Sequence, residues 1–300
     1  MATEEHAPSG PPRRRPRWRS WLELSLIGAL LTFIGLAPGG LPQVVLFLQA
    51  RGLSDADARL LDEIKKLGGE AHFMERIPRF LGLFGGRNLL YFSFNGKPFD
   101  DTKLDRFVRT YGDRVWGLDL RNTGITDRGM RYLAGLPHVR HLVLGNEDLS
   151  RFPGVALPEN KVTDAGLVHL KGLTSLQNLN LDGLPVTDAG LDAVKDLPNL
   201  GGLYLFRTQV RGPALGRLKS LPNLAVLYLD ESALTDEGLG HIKGATNLQI
   251  LSLVGVPLTA QGLTHLKALP KLNRLDINRC GLSDEDLDDF QVTCPQVKLE

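Results

Sequence analysis

The sequence predicts a curved α/β solenoid, in which a parallel sheet forms one face and short helices form the other. The first observation is a repeat: five segments begin 24 residues apart, at Val162, Val186, Val210, Leu234 and Leu258. The second is the content of each segment, which begins with V-T-D-A-G-L or a variant and continues with leucines two or three residues apart. A period of about 20–29 residues with this leucine spacing is typical of stacked repeats.

Each repeat combines a strand pattern with a helix pattern. Leu179 and Leu181 alternate with polar neighbours, as expected for a strand with one buried face. Leucines within 167–173 are three residues apart and predict the buried stripe of a helix on the outer, convex side. Thr163 or Asp164 is predicted to cap that helix, because its first N–H groups need acceptors. The recurring T-D pair is therefore interpreted as structural, and not as a row of catalytic or calcium-binding carboxylates.

The chain divides into four predicted regions. Residues 1–20 are rich in Pro and Arg and are predicted to be a disordered basic N-terminus. Residues 21–48 form a transmembrane anchor or signal region, and residues 49–87 form a helical N-terminal cap. Residues 88–300 form the repeat domain, with an insert at 149–161. The insert is interpreted either as a binding loop or as a tolerated insertion, because loops carry both kinds of change.

The region 21–48 begins with 17 residues, 21–37, in which Glu23 is the only charged side chain. This length is at the lower limit for a membrane-spanning helix. An uncleaved anchor is favoured, and a cleaved signal peptide and a surface-lying or buried helix remain as alternatives. Five arginines lie between Arg13 and Arg19, so the positive-inside rule places the N-terminus in the cytoplasm. The sequence thus predicts a single-pass membrane protein whose repeats lie on the outer, periplasmic or extracytoplasmic side.

Composition and motifs exclude several classes of function. The net charge is +1, and residues 1–20 alone contribute +3, so the repeats are close to neutral and lack the basic face of a nucleic-acid-binding protein. Phosphate-binding loops, nucleophile elbows and metalloprotease motifs are absent from the sequence. The protein is therefore predicted not to be an enzyme, with no cofactor, no metal and no small-molecule substrate.

Three further patterns receive structural interpretations. His169, His241 and His265 share one helix position and are predicted to face solvent rather than bind zinc, which would need more ligands. The acidic segment 283–290 lacks the spacing of a calcium loop and is read as helix-start charge. Cys280 and Cys294 are predicted to lie at opposite ends of a repeat, too far apart for a disulfide.

The unit L-T-D-x-G-L followed by L-x-x-L-x-L resembles leucine-rich repeats of the ribonuclease-inhibitor-like and cysteine-containing types. The segment Lys66-Leu67-Gly68-Gly69 before the repeats is similar to that of bacterial membrane-anchored leucine-rich-repeat proteins. The resemblance covers about 54–300 and implies a leucine-rich-repeat horseshoe that binds a partner. Similar repeats occur in F-box proteins, which recognise substrates for ubiquitin ligation. The sequence departs from the pattern at Arg211-Gly212-Pro213 and at Ala260-Gln261, where T-D-A is expected.

The outward-facing strand positions predict a partner site on the concave face. Aromatic and aliphatic side chains at these positions fall on neighbouring strands and are bordered by charges, which is the anatomy of a protein interface. The predicted partner-binding residues are Tyr204, Phe206, Arg207, Val226, Tyr228, Asp230, Ile250 and Arg274, with Asp182, Glu231 and Arg279 at the border.

The sequence therefore predicts a non-enzymatic protein–protein interaction module anchored at a membrane, with an unidentified protein partner. The first alternative is a substrate-recognition subunit of the F-box type. The second is a structural cell-envelope protein whose repeats associate only with each other.

Overall fold

The computed structural model of this protein describes residues 55–73, 89–146 and 156–300. The strands of successive repeats pair side by side in chain order. These residues belong to one compact unit, Leu53–Glu300. Within them, one sheet contains β1 (Glu70–Phe73), β2 (Leu90–Ser93), β3 (Val115–Asp119), β4 (His141–Val143), β5 (Asn178–Asn180), β6 (Gly202–Tyr204), β7 (Val226–Tyr228), β8 (Ile250–Ser252), β9 (Arg274–Asp276) and β10 (Lys298–Leu299).

The sheet is parallel from β2 to β10, and β1 pairs with β2 in the antiparallel direction. The register places equivalent leucines of successive repeats beside one another, for example Leu179, Leu203, Leu227 and Leu251. These leucines are fully buried, so each repeat closes the core of its neighbour. The α/β solenoid and the leucine-rich-repeat fold expected from the sequence are confirmed for this part of the chain.

The opposite side of the core is formed by helices that are shorter than the leucine spacing suggests. The α-helices are α1 (Asp55–Lys66), α2 (Asp101–Tyr111), α3 (Asp127–Met130), α4 (Asp164–Leu167), α5 (Leu191–Val194), α6 (Asp236–Leu239), α7 (Ala260–Leu266) and α8 (Asp284–Thr293). Four of them continue into 3₁₀ turns, at Gly112–Arg114, Arg131–Gly135, Val168–Gly172 and Gly240–Gly244, and one repeat has the 3₁₀ segment Pro213–Ser220 in place of an α-helix.

The first repeat is filled by aromatic side chains instead of leucines. Phe92, Phe94, Phe99 and Phe107 are fully buried, and the rings of Phe94 and Phe99 stack with their centroids 3.8 Å apart. Tyr111 packs on this cluster and donates a hydrogen bond to Glu63 of α1. The aromatic cluster and this bond attach α1 to the first repeat, where it covers apolar side chains.

The T-D pair of the repeat motif links one repeat to the next at several places along the solenoid. Thr163 caps its own helix by accepting from the amide of Ala165. Asp164 instead accepts from the amide and hydroxyl of Thr187 in the following repeat, at 2.9 and 2.6 Å. The same pairing joins Asp101 to Thr126, Asp127 to Thr163, and Asp236 to Thr259. The expectation that either residue of the pair caps the helix is thus resolved in favour of the threonine.

The glycine of the same motif makes room for this link. A Cβ atom on Gly166 would lie 2.4 Å from Oδ1 of Asp127, and a Cβ atom on Gly190 would lie 2.4 Å from Oδ1 of Asp164. Both distances are far inside van der Waals contact. The aspartate of the preceding repeat therefore requires a glycine at this position. Gly166 and Gly190 do not have positive φ angles, so backbone conformation is not the reason for these glycines.

At Arg211-Gly212-Pro213, where the motif is missing, backbone groups take the places of both the threonine and the aspartate. Asp188 accepts from the amides of Arg211, Gly212 and Ala214, since no threonine stands there. Gly212 adopts φ 121°, a conformation that side chains rarely allow. A Cβ on Gly238 would lie 1.9 Å from the carbonyl oxygen of Arg211, so the local backbone fills the space that an aspartate occupies elsewhere.

A second ladder connects the loops before the strands. Asn199, Asn223 and Asn247 each donate a side-chain hydrogen bond to a backbone carbonyl 25 residues earlier, at 2.8–2.9 Å. Because these asparagines recur every 24 residues, they reinforce the stacking of one repeat on the next.

The described end of the insert is packed into the solenoid. Asn160 is buried, and its Oδ1 accepts from the amides of Thr123, Gly124 and Ile125. Its Nδ2 donates to the carbonyls of Leu120 and Leu144. Lys161 also forms a bridge with Thr126, so this end of the insert follows the solenoid and does not protrude from it. Residues 149–155 of the insert lie outside the described residues.

The predicted basic N-terminus (1–20) and anchor or signal region (21–48) also lie outside the described residues. In the ranges that are described, none of the helices combines the length and apolar character needed to cross a membrane.

Candidate partner-binding face

The face of the sheet that points away from the buried leucines, called here the open sheet face, is organised in columns. Strand register places equivalent residues of successive repeats side by side. The first column contains Gly117, His141, Asn178, Gly202, Val226, Ile250 and Arg274, and the second contains Asp119, Val143, Asn180, Tyr204, Tyr228, Ser252 and Asp276. Backbone hydrogen bonds beyond the strands extend the order to a third column, Asp182, Phe206, Asp230, Val254 and Asn278.

Two tyrosines form the centre of this face. The rings of Tyr204 and Tyr228 meet edge to face, with centroids 5.1 Å apart and an interplanar angle of 71°. A Cβ on Gly202 would lie 2.5 Å from Oδ1 of Asn178 and 3.3 Å from the Tyr204 ring, so the glycine leaves space mainly for Asn178 and also for this ring. Burial raises the pKa of Tyr204 to about 12, helped by neighbouring Tyr228 and Asp182. Both phenols are therefore neutral and present aromatic surface.

Two carboxylates flank Phe206 in the third column. Asp182 accepts from the amide of Phe206 at 2.8 Å and from the side chain of Asn180. Asp230 accepts from the amide of Val254 at 2.8 Å and from the hydroxyl of Ser252. These donors are neutral, so they orient the carboxylates without cancelling their charge.

Burial raises the pKa of both carboxyls. For Asp182 the pKa rises to about 6, because loss of water outweighs the hydrogen bonds from Phe206 and Asn180. Asp230 also contributes to this rise through its negative charge. The pKa of Asp230 itself is raised by burial, and further by Asp276 and Glu231. The open sheet face thus holds negative charge in half-buried positions, which costs free energy.

A chain of opposite charges runs along the turn that follows the strands. Arg207 donates to Glu231 at 2.6 Å, and Arg279, two repeats away, donates to the same carboxylate at 3.0 Å. These bonds hold the pKa of Glu231 below its usual value. Gly255 lies between the two repeats, and a Cβ there would come within 3.1 Å of Glu231. The missing side chain lets Glu231 and Arg279 meet.

The same turn position requires a left-handed backbone. Its φ angle is 67° at Gly183 and 70° at Gly255, but also 53° at Arg207, 49° at Glu231 and 61° at Arg279. Glycine adopts this conformation without strain, whereas arginine and glutamate do not. Three charged side chains thus occupy positions that favour glycine, and all three belong to one ion-pair chain beside Phe206.

The structure brings most of the predicted partner residues together. Tyr204, Val226, Tyr228 and Ile250 lie on adjacent strands, and Arg274 follows Ile250 in the first column, where it pairs with Glu300 at 2.7 Å. Phe206 and Asp230 belong to the turns after β6 and β7, and not to the strands as expected from the sequence, and the bordering charge Arg207 lies in the first of these turns. Arg207 also lies over the ring of Phe206, 5.0 Å from its centroid. Their use by a partner stays a prediction.

Sequence reasoning missed Asp276 and Gly202. Asp276 occupies the second column two strands from Tyr228, and Gly202 lies beneath Tyr204. Both follow from reading one column at 24-residue intervals instead of one strand at a time. Such a reading yields Tyr204, Tyr228, Ser252 and Asp276 in order.

Other candidate residues have local roles. His141 stacks against Trp116 with ring centroids 4.2 Å apart, and burial lowers its pKa to about 4. In the acidic segment, Ser283 and Asp286 cap α8 reciprocally. Cys280 is buried and its thiol donates to the carbonyl of Leu253, while Cys294 is buried as a free thiol. Across the described ranges, His, Cys, Asp and Glu side chains do not gather in the groups of three that could hold a metal ion.

A polar cleft lies on the helical side, between α2 and the turn after α3. Its lining includes Asp105, Arg109, Arg131 and Tyr132. Arg109 is paired with Asp105 at 2.8 Å, and Arg131 donates to the hydroxyl of Tyr132 at 2.8 Å. The cations of this cleft are thus engaged within the protein, which leaves the open sheet face as the better candidate.

The sequence matches neither a known protein-family model nor a curated protein. Among solved structures, the chain is similar to internalin C2 from Listeria monocytogenes, with 22% identity, coverage of 70% of this chain and 80% of that one, and a TM-score of 0.48. It is also similar to the plant peptide hormone receptor RGFR1 in complex with RGF2, with 15% identity and a TM-score of 0.36. That match covers 62% of this chain and 32% of the receptor, so the chain spans about a third of that protein.

Proposed function

We propose that this protein is a non-enzymatic protein-interaction module that binds its partner through the open sheet face. The observation that carries the proposal is the pair Tyr204 and Tyr228 beside Phe206, aromatic side chains that lie outside the core and are flanked by half-buried carboxylates. Aromatic side chains at the centre of a patch, with charges at its rim, dominate the binding energy of protein interfaces.

A capture experiment tests this site. The full chain is used to retain proteins from native membranes, beside a Tyr204→Ala/Tyr228→Ala variant. We expect the variant to capture at least about 10-fold less of any specific partner, since each anchor residue contributes about 2 kcal/mol or more to the binding free energy. Tyr132→Ala, which removes a partly buried tyrosine on the helical side, is the matched control. Equal capture by wild type and the double variant, with both folded, would rule out this face.

We also propose that residues 21–48 anchor the repeats to a membrane, with the N-terminus in the cytoplasm, as in the bacterial membrane-anchored proteins that the motif resembles. The apolar run 21–37 and the preceding arginines support this arrangement. Deletion of 21–48 should move the chain from the membrane fraction to the soluble fraction. N-terminal sequencing of the mature chain separates a retained anchor from a cleaved signal, because cleavage would remove the arginines.

A further inference from the structure

The charges of the open sheet face are unevenly compensated. Arg207 and Arg279 both donate to Glu231, and Arg274 donates to Glu300, so the cations bordering the face are paired with glutamates. Asp119, at one end of the second column, is paired with Arg121. The three aspartates nearer the aromatic centre receive hydrogen bonds from neutral groups instead: Asp182 from Phe206 and Asn180, Asp230 from Val254 and Ser252, and Asp276 from Asn278. The face thus presents negative charge next to its aromatic centre.

The positions of these aspartates define a small area. Asp182 and Asp230 stand on either side of Phe206 in the third column, and neighbouring strands are about 4.8 Å apart. The backbone positions of Asp182 and Asp230 are therefore roughly 10 Å apart by strand spacing, with Tyr204 in the adjacent column between them. A planar cation placed there would lie within reach of both carboxylates and against aromatic rings.

Arginine matches this arrangement better than any other side chain. Its guanidinium forks onto carboxylates, stacks on aromatic faces and is weakly hydrated, so it tolerates a half-buried site. Arg207 already makes such a contact with Phe206 within the protein. We propose that the partner inserts an arginine between Asp182 and Asp230, against Tyr204 and Phe206, on the open sheet face. This inference rests on the proposed function and specifies the chemistry of its partner.

The electrostatics of Asp182 support the proposal. Its pKa is raised to about 6 by burial. The groups that face it are Asn180 on β5, Tyr204 on β6, the Phe206 amide after β6, Asp230 after β7, and Arg121 after β3. Arg121 is itself paired with Asp119 at 2.8 Å. An arriving guanidinium would add an opposite charge where burial now disfavours the ionised form, and so would lower this pKa.

The test uses immobilised peptides of one Gly/Ser/Trp sequence that differ at a single central residue: arginine, lysine, citrulline or glutamate. Citrulline has nearly the shape of arginine without its charge. Binding of the full chain is measured by biolayer interferometry near neutral pH. We expect the arginine peptide to bind at least about 10-fold more tightly than the citrulline peptide, and the glutamate peptide not to bind.

Two variants with equal changes of charge assign the effect to the site. Asp182→Asn/Asp230→Asn should reduce binding of the arginine peptide to that of the citrulline peptide. Asp288→Asn/Asp289→Asn, on the exposed side of α8, should leave it unchanged. For wild type, lowering the pH from about 7.5 to about 5 should weaken the binding of the arginine peptide several-fold, because Asp182 becomes protonated. His141 does not contribute in this range, since its pKa is about 4.

The outcomes separate this inference from the proposed function. Equal binding of the arginine and citrulline peptides, or no binding of either, overturns the arginine site. Binding that is lost in Tyr204→Ala/Tyr228→Ala but unaffected by Asp182→Asn/Asp230→Asn also overturns it, while supporting the open sheet face as the partner site. Thermal unfolding of each variant confirms that a loss of binding does not reflect unfolding.

Discussion

The aspartates at the helix starts and the aspartates on the open sheet face are in opposite situations. Asp164 accepts two hydrogen bonds from Thr187 of the next repeat, and this arrangement recurs along the solenoid. Asp182 is half-buried, has a raised pKa, and stands where other repeats have Phe206 or Val254. Carboxylates of both kinds accept a hydrogen bond from the next repeat, but the helix-start aspartates form a regular series, whereas Asp182 and Asp230 alternate with Phe206 and Val254 and have raised pKa values. The difference teaches where to look for function in a repetitive chain.

The largest expected effect comes from Asn160, which belongs to the insert but serves the repeats. Asn160→Ala removes the acceptor of three backbone amides and the donor to two carbonyls in a buried place. We expect the free energy of unfolding to fall by about 3–5 kcal/mol, measured by urea denaturation. Asn273→Ala, at an exposed position, is the control. A loss below about 1 kcal/mol for Asn160→Ala would show that water replaces these bonds.

The second effect separates two glycines of one repeat. Gly166→Ala places a methyl group 2.4 Å from Oδ1 of Asp127 and should displace the link between repeats, at a cost of about 1–3 kcal/mol in unfolding free energy. Gly172→Ala meets no atom within 4 Å and should change stability by less than about 0.5 kcal/mol. Equal urea midpoints for the two variants would contradict the linking role of Asp127.

The third effect has the opposite sign. Asp182→Asn should increase the free energy of unfolding by about 1 kcal/mol at neutral pH, because ionised Asp182 is costly in the folded state. The folded pKa of about 6 exceeds the ordinary value of 3.8, so wild type loses stability as the pH rises from about 4 to about 6. The variant should lack this decrease. Urea denaturation at several pH values measures it, and a destabilised variant at neutral pH would refute the comparison.

The smallest effect concerns the ion-pair chain. Glu231→Gln should cost about 0.5 kcal/mol or less near neutral pH, because both arginines are partly exposed, with 38% and 65% of their side-chain surface accessible. The folded pKa of Glu231 is lowered, so this stability is present above its ordinary value of 4.5 and lost as the pH falls through the folded pKa. Denaturation at low and high salt should show that salt screens the contribution of the Glu231 ion pairs to the free energy of unfolding in wild type and not in the variant. Exposed Glu237→Gln is the control.

Much of this architecture could be predicted from the sequence, because the 24-residue period sets the register of every strand. Knowing that Leu203 and Leu227 are equivalent already places Tyr204 beside Tyr228. The role of Asp164 could not be predicted, since its partner is about one repeat away and local patterns suggest a helix cap. The return of Asn160 into the core depends on the path of the insert, which has no periodicity. The positions of Phe206 and Arg207 after β6 depend on where the short strand ends.

The linking aspartates and threonines have a consequence for how such a chain changes over generations. The repeats that carry the T-D pair offer the same acceptor to the next repeat and the same donor to the previous one, as Asp164 and Thr163 do. Whole repeats can therefore be duplicated, deleted or exchanged without mismatching the joints. Substitutions on the open sheet face leave those joints untouched. A lineage with this architecture can acquire new recognition specificity while the contacts between its repeats stay constant.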